Sequence, residues 1–496
     1  MDLKALQNGS DIRGIAIDTI PGEPVNLTQE AVFSIGAAFS IWIQQKFNEE
    51  ILVGIGMDSR LSGSELKNYL SEGLTQTGCN VIDFGLATTP AMFMSTQFDE
   101  TNCTAGIMIT ASHLPFNRNG FKFFLASGGL NKSDISEILL IAEKKNWKYK
   151  SPTSVIKKGN IIDIYSNHLL KIIRTKTGTE KPFIGNRIIV DAGNGAGGFF
   201  ANKVLEPLGA DTAGSLFLDP DGNFPNHAPN PEDKKAIESI VKAVKKNNCD
   251  MGIIFDTDVD RAAVVDSYGT PINRNALIAL LSAIVLEEHP ATTIVTDSVT
   301  SDGLSEYITR LGGRHHRYKR GYRNVINEAI KLNDKGEETW LAIETSGHGA
   351  LKENYFLDDG AYLVVKILTK LYDIKKQNRT LADILKDLKA PAESEEFRIK
   401  IKTKDFTGYG KKIISSLTDY CDQIEGWEIV PNNYEGIRVK CKQTDYEGWF
   451  LLRLSLHDPV LPLNIETNRQ GGIRKILKNL IPYLQKFVDL EISSLT

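Results

Sequence analysis

Cysteine is scarce. The 496 residues hold five, Cys79, Cys103, Cys249, Cys421 and Cys441, far apart and odd in number. No CxxC pair occurs, so neither a thiolate metal site of the usual spacing nor a disulfide framework is expected. Reduced thiols imply a cytoplasmic setting, or an organelle stroma if a transit peptide has been removed. Long apolar runs are also missing. No stretch approaches the roughly 20 residues that a membrane span needs, and Met1-Asp-Leu-Lys4 has no apolar signal region and no Arg/Ser-rich transit character. Charge of one sign is missing too. Lys and Arg number 58 against 62 Asp and Glu, a net charge of -4 without long blocks. Nothing therefore suggests nucleic acid or a membrane surface as a partner. No segment is of low complexity.

What is present is ordinary globular material, 41% hydrophobic and 24% charged. The length implies three or four domains. Three apolar runs each feed a polar loop. Gly106-Ile-Met-Ile109 leads into Thr110-Ala-Ser-His-Leu-Pro-Phe116. Met251–Phe255 leads into Asp256-Thr-Asp-Val-Asp-Arg261. Trp340-Leu-Ala-Ile343 leads into Glu344-Thr-Ser-Gly-His348. Short apolar runs bounded by turn residues read as buried strands. Their loops then lie at strand carboxyl ends, where open α/β sheets bind ligands.

A second pattern recurs. Ile51–Met57, Arg187–Val190 and Thr293–Thr296 are strands that end in Asp58, Asp191 and Asp297. Each is followed by a small-residue turn, a helix (62–78, to about Leu208, and Ser301–Leu311) and a closing glycine. We read three diverged α/β repeats with mostly parallel, mixed sheets. From about Phe397 the texture changes to alternating strands and a closing helix over 472–488. The expected domains are 1–155, 156–272 and 273–391, all α/β, and a smaller α+β domain over 392–496.

Asp256, Asp258 and Asp260 alternate, so an extended backbone would point all three carboxylates to one side. Like charges this close need a cation, and oxygen ligands suit Mg²⁺ before Ca²⁺. An EF-hand is excluded, because no Gly sits at loop position six and no Glu at position twelve. Gly193-Asn-Gly195-Ala-Gly-Gly198 matches a dinucleotide fingerprint, but Asp211 precedes the next strand instead of ending it. Close packing in a tight strand–helix turn is the better reading. Glu344, Ser346 and His348 suit sugar hydroxyls and proton transfer. Lys122 lies close behind Ser112 in sequence. Arg13, in a glycine-bracketed loop, suits a phosphate contact. Arg453, Ser455 and His457 form a second possible phosphate clamp.

With these loops in this order, the chain resembles the α-D-phosphohexomutases, the phosphoglucomutase/phosphomannomutase family. The motifs are Ser-His within T-A-S-H-x-P, D-x-D-x-D-R, E-x-S-G-H, and R-x-S with Pro four residues after the Ser. The resemblance implies four domains around a central cleft. It implies that Ser112 carries a phosphoryl group and that Asp256, Asp258, Asp260 and that phosphate bind Mg²⁺. It implies transfer to a hexose monophosphate through a 1,6-bisphosphate, with glucose 1,6-bisphosphate as activator. By the same match Ser112, His113, Lys122, His348 and Arg13 are catalytic residues. Arg261, Arg323, Glu344, Ser346, His348, Arg453, Ser455 and His457 bind substrate. The partners are small sugar phosphates, and the protein is a monomer or weak dimer. Four departures stand out: Leu114 replaces Asn, Thr257 and Val259 replace glycines of the metal loop, and Leu456-His457-Asp458 replaces Gly-Thr-Glu. The alternatives are a phosphoglucosamine mutase, a haloacid-dehalogenase-like phosphatase with Asp256 as nucleophile, and a non-catalytic sugar-phosphate-binding paralogue.

Overall fold

A computed structural model describes residues 2–149, 154–455 and 458–495. The chain forms two compact units, one of Met1–Ile284 with Ser346–Ile384, the other of Val285–Thr345 with Leu385–Thr496.

In the first unit, the N-terminal sheet is mixed. Its strands run Gln7–Asn8, Asp11–Ile15, Arg118–Leu125, Ala105–Ile109, Leu52–Met57, Asn80–Leu86 and Ile156–Lys158. The last four are parallel, and Arg118–Leu125 runs against Ala105–Ile109. The odd positions of the central strands, Val53, Ile55, Ile107 and Ile109, are buried under helices Gln29–Gln44, Gly63–Gln76 and Lys132–Lys144. Side chains of this size each contribute about 1.5–3 kcal/mol when fully buried. On the opposite face the backbone comes close. A Cβ on Gly106 would stand 2.3 Å from Met92 O, so only glycine lets helix Thr89–Met94 lie there. Helix Gly63–Gln76 begins as expected, but Ser62 does not cap it. Its hydroxyl instead accepts from Asn119 Nδ2 at 2.9 Å.

The next sheet pairs Ile188–Asp191 with Met251–Phe255 in parallel, then adds Ala262–Asp266 and Pro271–Ile272 antiparallel. Asp256–Arg261 is therefore the turn of a hairpin and not an extended run. Val259 sits at φ 66°, a left-handed conformation that a β-branched residue adopts only under constraint. The helix expected to end near Leu208 is also different. Phe200–Leu205 is a π-turn running into a 3₁₀ turn, Glu206–Leu208. Pro207 has no N–H to give to an α-helical ladder, so the hydrogen bonding shifts register. Gly349–Leu351 and Leu357–Asp358 add an antiparallel pair in this unit.

In the second unit, Arg314–Tyr318, Thr293–Asp297 and Thr339–Ile343 pair in parallel in that order. Helix Asp302–Arg310 is capped by Ser301, whose side chain accepts from Leu304 N. The C-terminal sheet is antiparallel: Trp427–Ile429, Ile437–Lys442, Glu447–Leu452, Val460–Thr467, Glu393–Ile401 and Leu490–Glu491. Helices Phe406–Cys421 and Gly472–Leu484 bury Ile413, Leu417, Ile476 and Leu480 against it. The closing helix stops one turn earlier than the expected 488. All five cysteines are buried and unbridged. No helix among the described residues is long and apolar enough to cross a membrane.

The glycine-rich turn packs directly on the acidic hairpin. A Cβ on Gly195 would lie 2.8 Å from both Cα and O of Thr257. Backbone on that side cannot swing away as a side chain would. Gly195→Ala should cost about 1–3 kcal/mol through overpacking. Urea unfolding reads this as a lowered midpoint, and an unchanged midpoint would mean the turn has slack.

Candidate active site

The serine loop is held by its backbone. Thr110 Oγ1 donates to Asp58 Oδ2 at 2.6 Å and accepts from Ser112 N at 2.9 Å. Ser112 itself sits at φ 50°, a strained position for a non-glycine. Its carbonyl accepts from Thr257 Oγ1 at 2.8 Å and from Arg60 Nη2. Arg60 also donates to Leu114 O, Pro115 O and Arg118 O, and its Nε lies 3.4 Å from Asp58. One buried guanidinium thus wraps four carbonyls of the loop. Burial pushes the Asp58 carboxyl up, with Arg60 and Thr110 opposing. Arg13 donates to Thr110 O and pairs with Asp11 at 2.8 Å, so its guanidinium is spent on the loop backbone and its neighbour.

Ser112 Oγ donates to Asp256 Oδ2 at 3.0 Å and accepts from Arg261 Nη2 at 3.0 Å. Arg261 also gives Nε–H to Asp256 Oδ2 at 3.0 Å and Nη2–H to His113 Nδ1 at 2.8 Å. A guanidinium only donates, so His113 Nδ1 is an unprotonated acceptor. Burial and the adjacent Arg261 push the His113 pKa down to about 3, which agrees with that tautomer.

Asp256, Asp258 and Asp260 are fully buried. One oxygen from each lies within 4.8 Å of the others. Lys122 bonds Asp260 and stands 3.3 Å from Asp258 Oδ2. Thr89 Oγ1 donates to Asp258 Oδ2. Yet Asp258 Oδ1 and Asp260 Oδ1 are buried with no hydrogen-bond donor. Buried carboxylate oxygens without a donor are costly, and this set of three close carboxylates fits a hard divalent cation with oxygen coordination. Burial and Asp260 push the Asp256 carboxyl well up. Burial would also raise Asp260, but Lys122, His348 and Arg261 together bring it down. The hairpin is fixed by three backbone bonds: Thr89 N to Asp258 O at 2.8 Å, Ala196 N to Thr257 O at 2.8 Å, and Gly360 N to Val259 O at 3.1 Å.

His348 reaches the same cluster. Its Nδ1 is 2.5 Å from Asp358 Oδ2 and 3.8 Å from Asp260 Oδ1. Burial opposes protonation, but Asp358 and Asp260 outweigh it and raise the pKa to about 9. The short contact places one proton between His348 Nδ1 and Asp358 Oδ2.

The second unit carries its own cluster. Glu344 Oε1 accepts from Gly321 N at 2.6 Å. Thr345 Oγ1 donates to buried Asp297 at 2.7 Å, and Arg320 Nε lies 3.7 Å from the same carboxylate. Glu435 Oε2 accepts from Ser298 Oγ and from Arg320 N at 3.1 Å. Arg453 Nη1 is 3.7 Å from Glu435 Oε1, while its Nε is buried without a hydrogen-bond partner. Burial lowers the Arg453 pKa, with Glu435 opposing. Ser455 Oγ accepts from Asp458 N at 3.2 Å. Arg323 lies in the first turn of helix Tyr322–Asp334. His457 and Leu456 lie outside the described residues.

Sequence reasoning passed over Asp58 as chemistry, and missed Arg60, Asp358, Arg320 and Glu435 as residues of these clusters. Asp58 carried a signal, since it ends a strand as Asp191 and Asp297 do. Arg320 lies in the polar stretch Tyr318–Arg323. Arg60, Glu435 and Asp358 carried none.

Comparison with known proteins follows the same lines. Models of phosphoglucomutase/phosphomannomutase alpha/beta/alpha domains I, II and III match residues 4–148, 163–269 and 273–391. A phosphoglucomutase from Neisseria gonorrhoeae is 31% identical over 94% of each chain. A phosphomannomutase/phosphoglucomutase from Pseudomonas syringae pv. tomato is 32% identical over 94% of this chain and 92% of its own. A crystal structure of a phosphoglucomutase/phosphomannomutase family protein from Burkholderia thailandensis superposes with a TM-score of 0.79 at 26% identity, covering 98% of both chains. The chain belongs to the phosphoglucomutase/phosphomannomutase family and is a phosphohexomutase, an isomerase of the intramolecular phosphotransferase kind.

Proposed function

We propose that the enzyme interconverts hexose 1-phosphate and hexose 6-phosphate, of glucose, mannose or both, with Ser112 as the phosphoryl carrier. The observation that carries this reading is the setting of Ser112 Oγ, between the Asp256 carboxylate and the Arg261 guanidinium. Arg261 draws the hydroxyl into one orientation and offers positive charge to the oxygens of a group attached there. Asp256 Oδ2 accepts the hydroxyl's hydrogen bond in the unmodified enzyme. Both Asp256 oxygens are engaged, Oδ1 by Arg261 N at 3.2 Å and Oδ2 by Arg261 Nε and Ser112. That leaves it poorly placed as a phosphatase nucleophile.

Asp256, Asp258 and Asp260, with the Ser112 phosphate, would hold Mg²⁺. When bound, the cation neutralises charge on the phosphoryl oxygens during a loose transfer between two oxygens. Of the two acid/base candidates, His348 is the better supported. It holds a proton against Asp358 beside the acidic cluster, whereas Lys122 is locked between Asp258 and Asp260 and serves to balance their charge. Glu344 and Ser346 would read the sugar. Arg453, Ser455 and His457, with Arg323, would grip the phosphate not being transferred. On this reading the domains 1–155, 156–272, 273–391 and 392–496 carry one of these loops each, and glucose 1,6-bisphosphate activates by loading Ser112.

The test is a side-by-side mutase assay of glucose, mannose and glucosamine 1-phosphates with Mg²⁺, with chelator, and with Asp258→Asn. Activity on a hexose phosphate should vanish with chelator and return with Mg²⁺. Asp258→Asn should weaken Mg²⁺ activation by at least about tenfold while the unfolding midpoint holds. Full turnover in chelator would refute the metal role, and no turnover on any of the three would refute the substrate class.

Arg453 offers a separate prediction. A bisphosphate that must reorient between two half-reactions needs its far phosphate held. Arg453→Ala should raise KM for the monophosphate by roughly 10–100-fold, the worth of a charged hydrogen bond. Turnover should come to depend on added glucose 1,6-bisphosphate. A wild-type level of bisphosphate released per turnover would place the grip elsewhere.

A further inference from the structure

A donor-lined cavity lies in the second unit, and Arg453 is not among the residues that line it. Strand Arg314–Tyr318 is the edge of its parallel sheet. Between it and residues 430–434 is a cavity of about 220 Å³, walled by His315, His316, Arg317, Asn432, Tyr434 and Arg438 among others. No carboxylate lines it among the described residues. The volume equals roughly seven waters at about 30 Å³ each, enough for an oxyanion with a small organic group.

Two nitrogens of these residues, Arg438 Nε and His315 Nδ1, are buried and lack a hydrogen-bond partner, while His316 Nε2 lies 3.4 Å from Glu328 Oε1. Arg438 is 2% exposed. Its other nitrogens are used, Nη1 on Ser298 O at 2.9 Å and Nη2 on Thr300 O and Asp302 Oδ1 at 3.0 Å. Arg317 gives Nη2 to Ser301 O and to the same Asp302 oxygen at 3.0 Å. One carboxylate oxygen thus serves two guanidiniums. Glu466 is engaged by Trp449 Nε1 at 3.0 Å, and Glu328 lies 3.4 Å from His316. Arg438 lies 3.5 Å above the Trp449 ring, which adds attraction without an acceptor. Burial, with Arg317 adding to it, holds Arg438 down to about 9 and His315 well below its ordinary value. Asp302 and Glu466 oppose the shift at Arg438. His315 Nε2 meets Thr296 Oγ1 at 2.8 Å. Thr296 Oγ1 also donates to Asp297 O at 3.2 Å; the tautomer in which Nε2 accepts is the one that leaves Nδ1–H for a guest.

We propose that this cavity is an anion site that takes a phosphate-type oxyanion, free or as a phosphomonoester, through Arg317, Arg438 and His315. Charged donors suit such oxyanions, and the guest would give Arg438 Nε–H the acceptor it now lacks. It would also tie residues 430–434 to strand Arg314–Tyr318.

The test is a calorimetric titration of inorganic phosphate into the full chain and into His315→Leu and Arg453→Ala. Wild type should show two classes of site. His315→Leu should weaken one of them about tenfold or more and leave the other. Arg453→Ala should keep the class that His315→Leu loses, so failure here is separable from failure of the substrate reading. Identical titrations for wild type and His315→Leu would overturn the proposal. In Arg453→Ala, displacement of phosphate by glucose 6-phosphate would identify a monoester site, and retention a free-ion site; either supports the cavity. Should His315→Leu not fold, wild-type crystals soaked in tungstate decide. An anomalous peak beside Arg438 Nε and His315 Nδ1 supports the site, and peaks only elsewhere overturn it.

Discussion

Three carboxylates buried within 4.8 Å of one another are the constraint on which the first unit is built. Like charges at that separation repel strongly in a low dielectric, and two of their oxygens have no donor. The surroundings answer with cations at fixed places. Lys122 comes from the strand behind the serine loop, Arg261 closes the hairpin, and His348 comes from a distant segment, its pKa raised by Asp358 and Asp260. The same Arg261 touches Ser112 Oγ. Charge compensation at the acids and orientation of the serine are therefore one arrangement.

Backbone strain sits where the chemistry is. Ser112 at φ 50° and Val259 at φ 66° occupy conformations that cost of order 1–3 kcal/mol each. Both persist because their neighbours are over-determined. Arg60 and Thr257 hold the carbonyl of Ser112, while Gly360 N holds that of Val259. Thr257 stands where the family motif has glycine, and its hydroxyl joins the acidic hairpin to the serine loop. The departure adds a contact that glycine could not make. Gly195, lying under Thr257, keeps room for that backbone.

Legibility in the sequence followed distance along the chain. Apolar runs that end abruptly in Ser, Asp or Glu exposed the serine loop, the acidic hairpin and the Glu344–His348 loop, because strand and loop are neighbours in sequence. The three aspartates do not lie on an extended strand. They converge through a turn whose left-handed residue, Val259, no propensity rule would place there. The dinucleotide-like glycines were legible as packing, since no acid ended the next strand. Arg60 and Asp358 were not legible. Each acts on a partner 52 or 10 residues away, and only the fold brings them together. The π-turn at Phe200–Leu205 was hidden in an ordinary helical pattern, with Pro207 its one trace.

The account stands on Ser112 as the group that carries phosphate. Its most direct measurement is intact-protein mass followed by peptide mapping, after incubating the full chain with glucose 1,6-bisphosphate and Mg²⁺. The arrangement of Asp256, Arg261 and Ser112 Oγ predicts a single phosphate adduct that maps to Ser112. A phosphate on Asp256, or no adduct on either residue while the enzyme turns over, would contradict it.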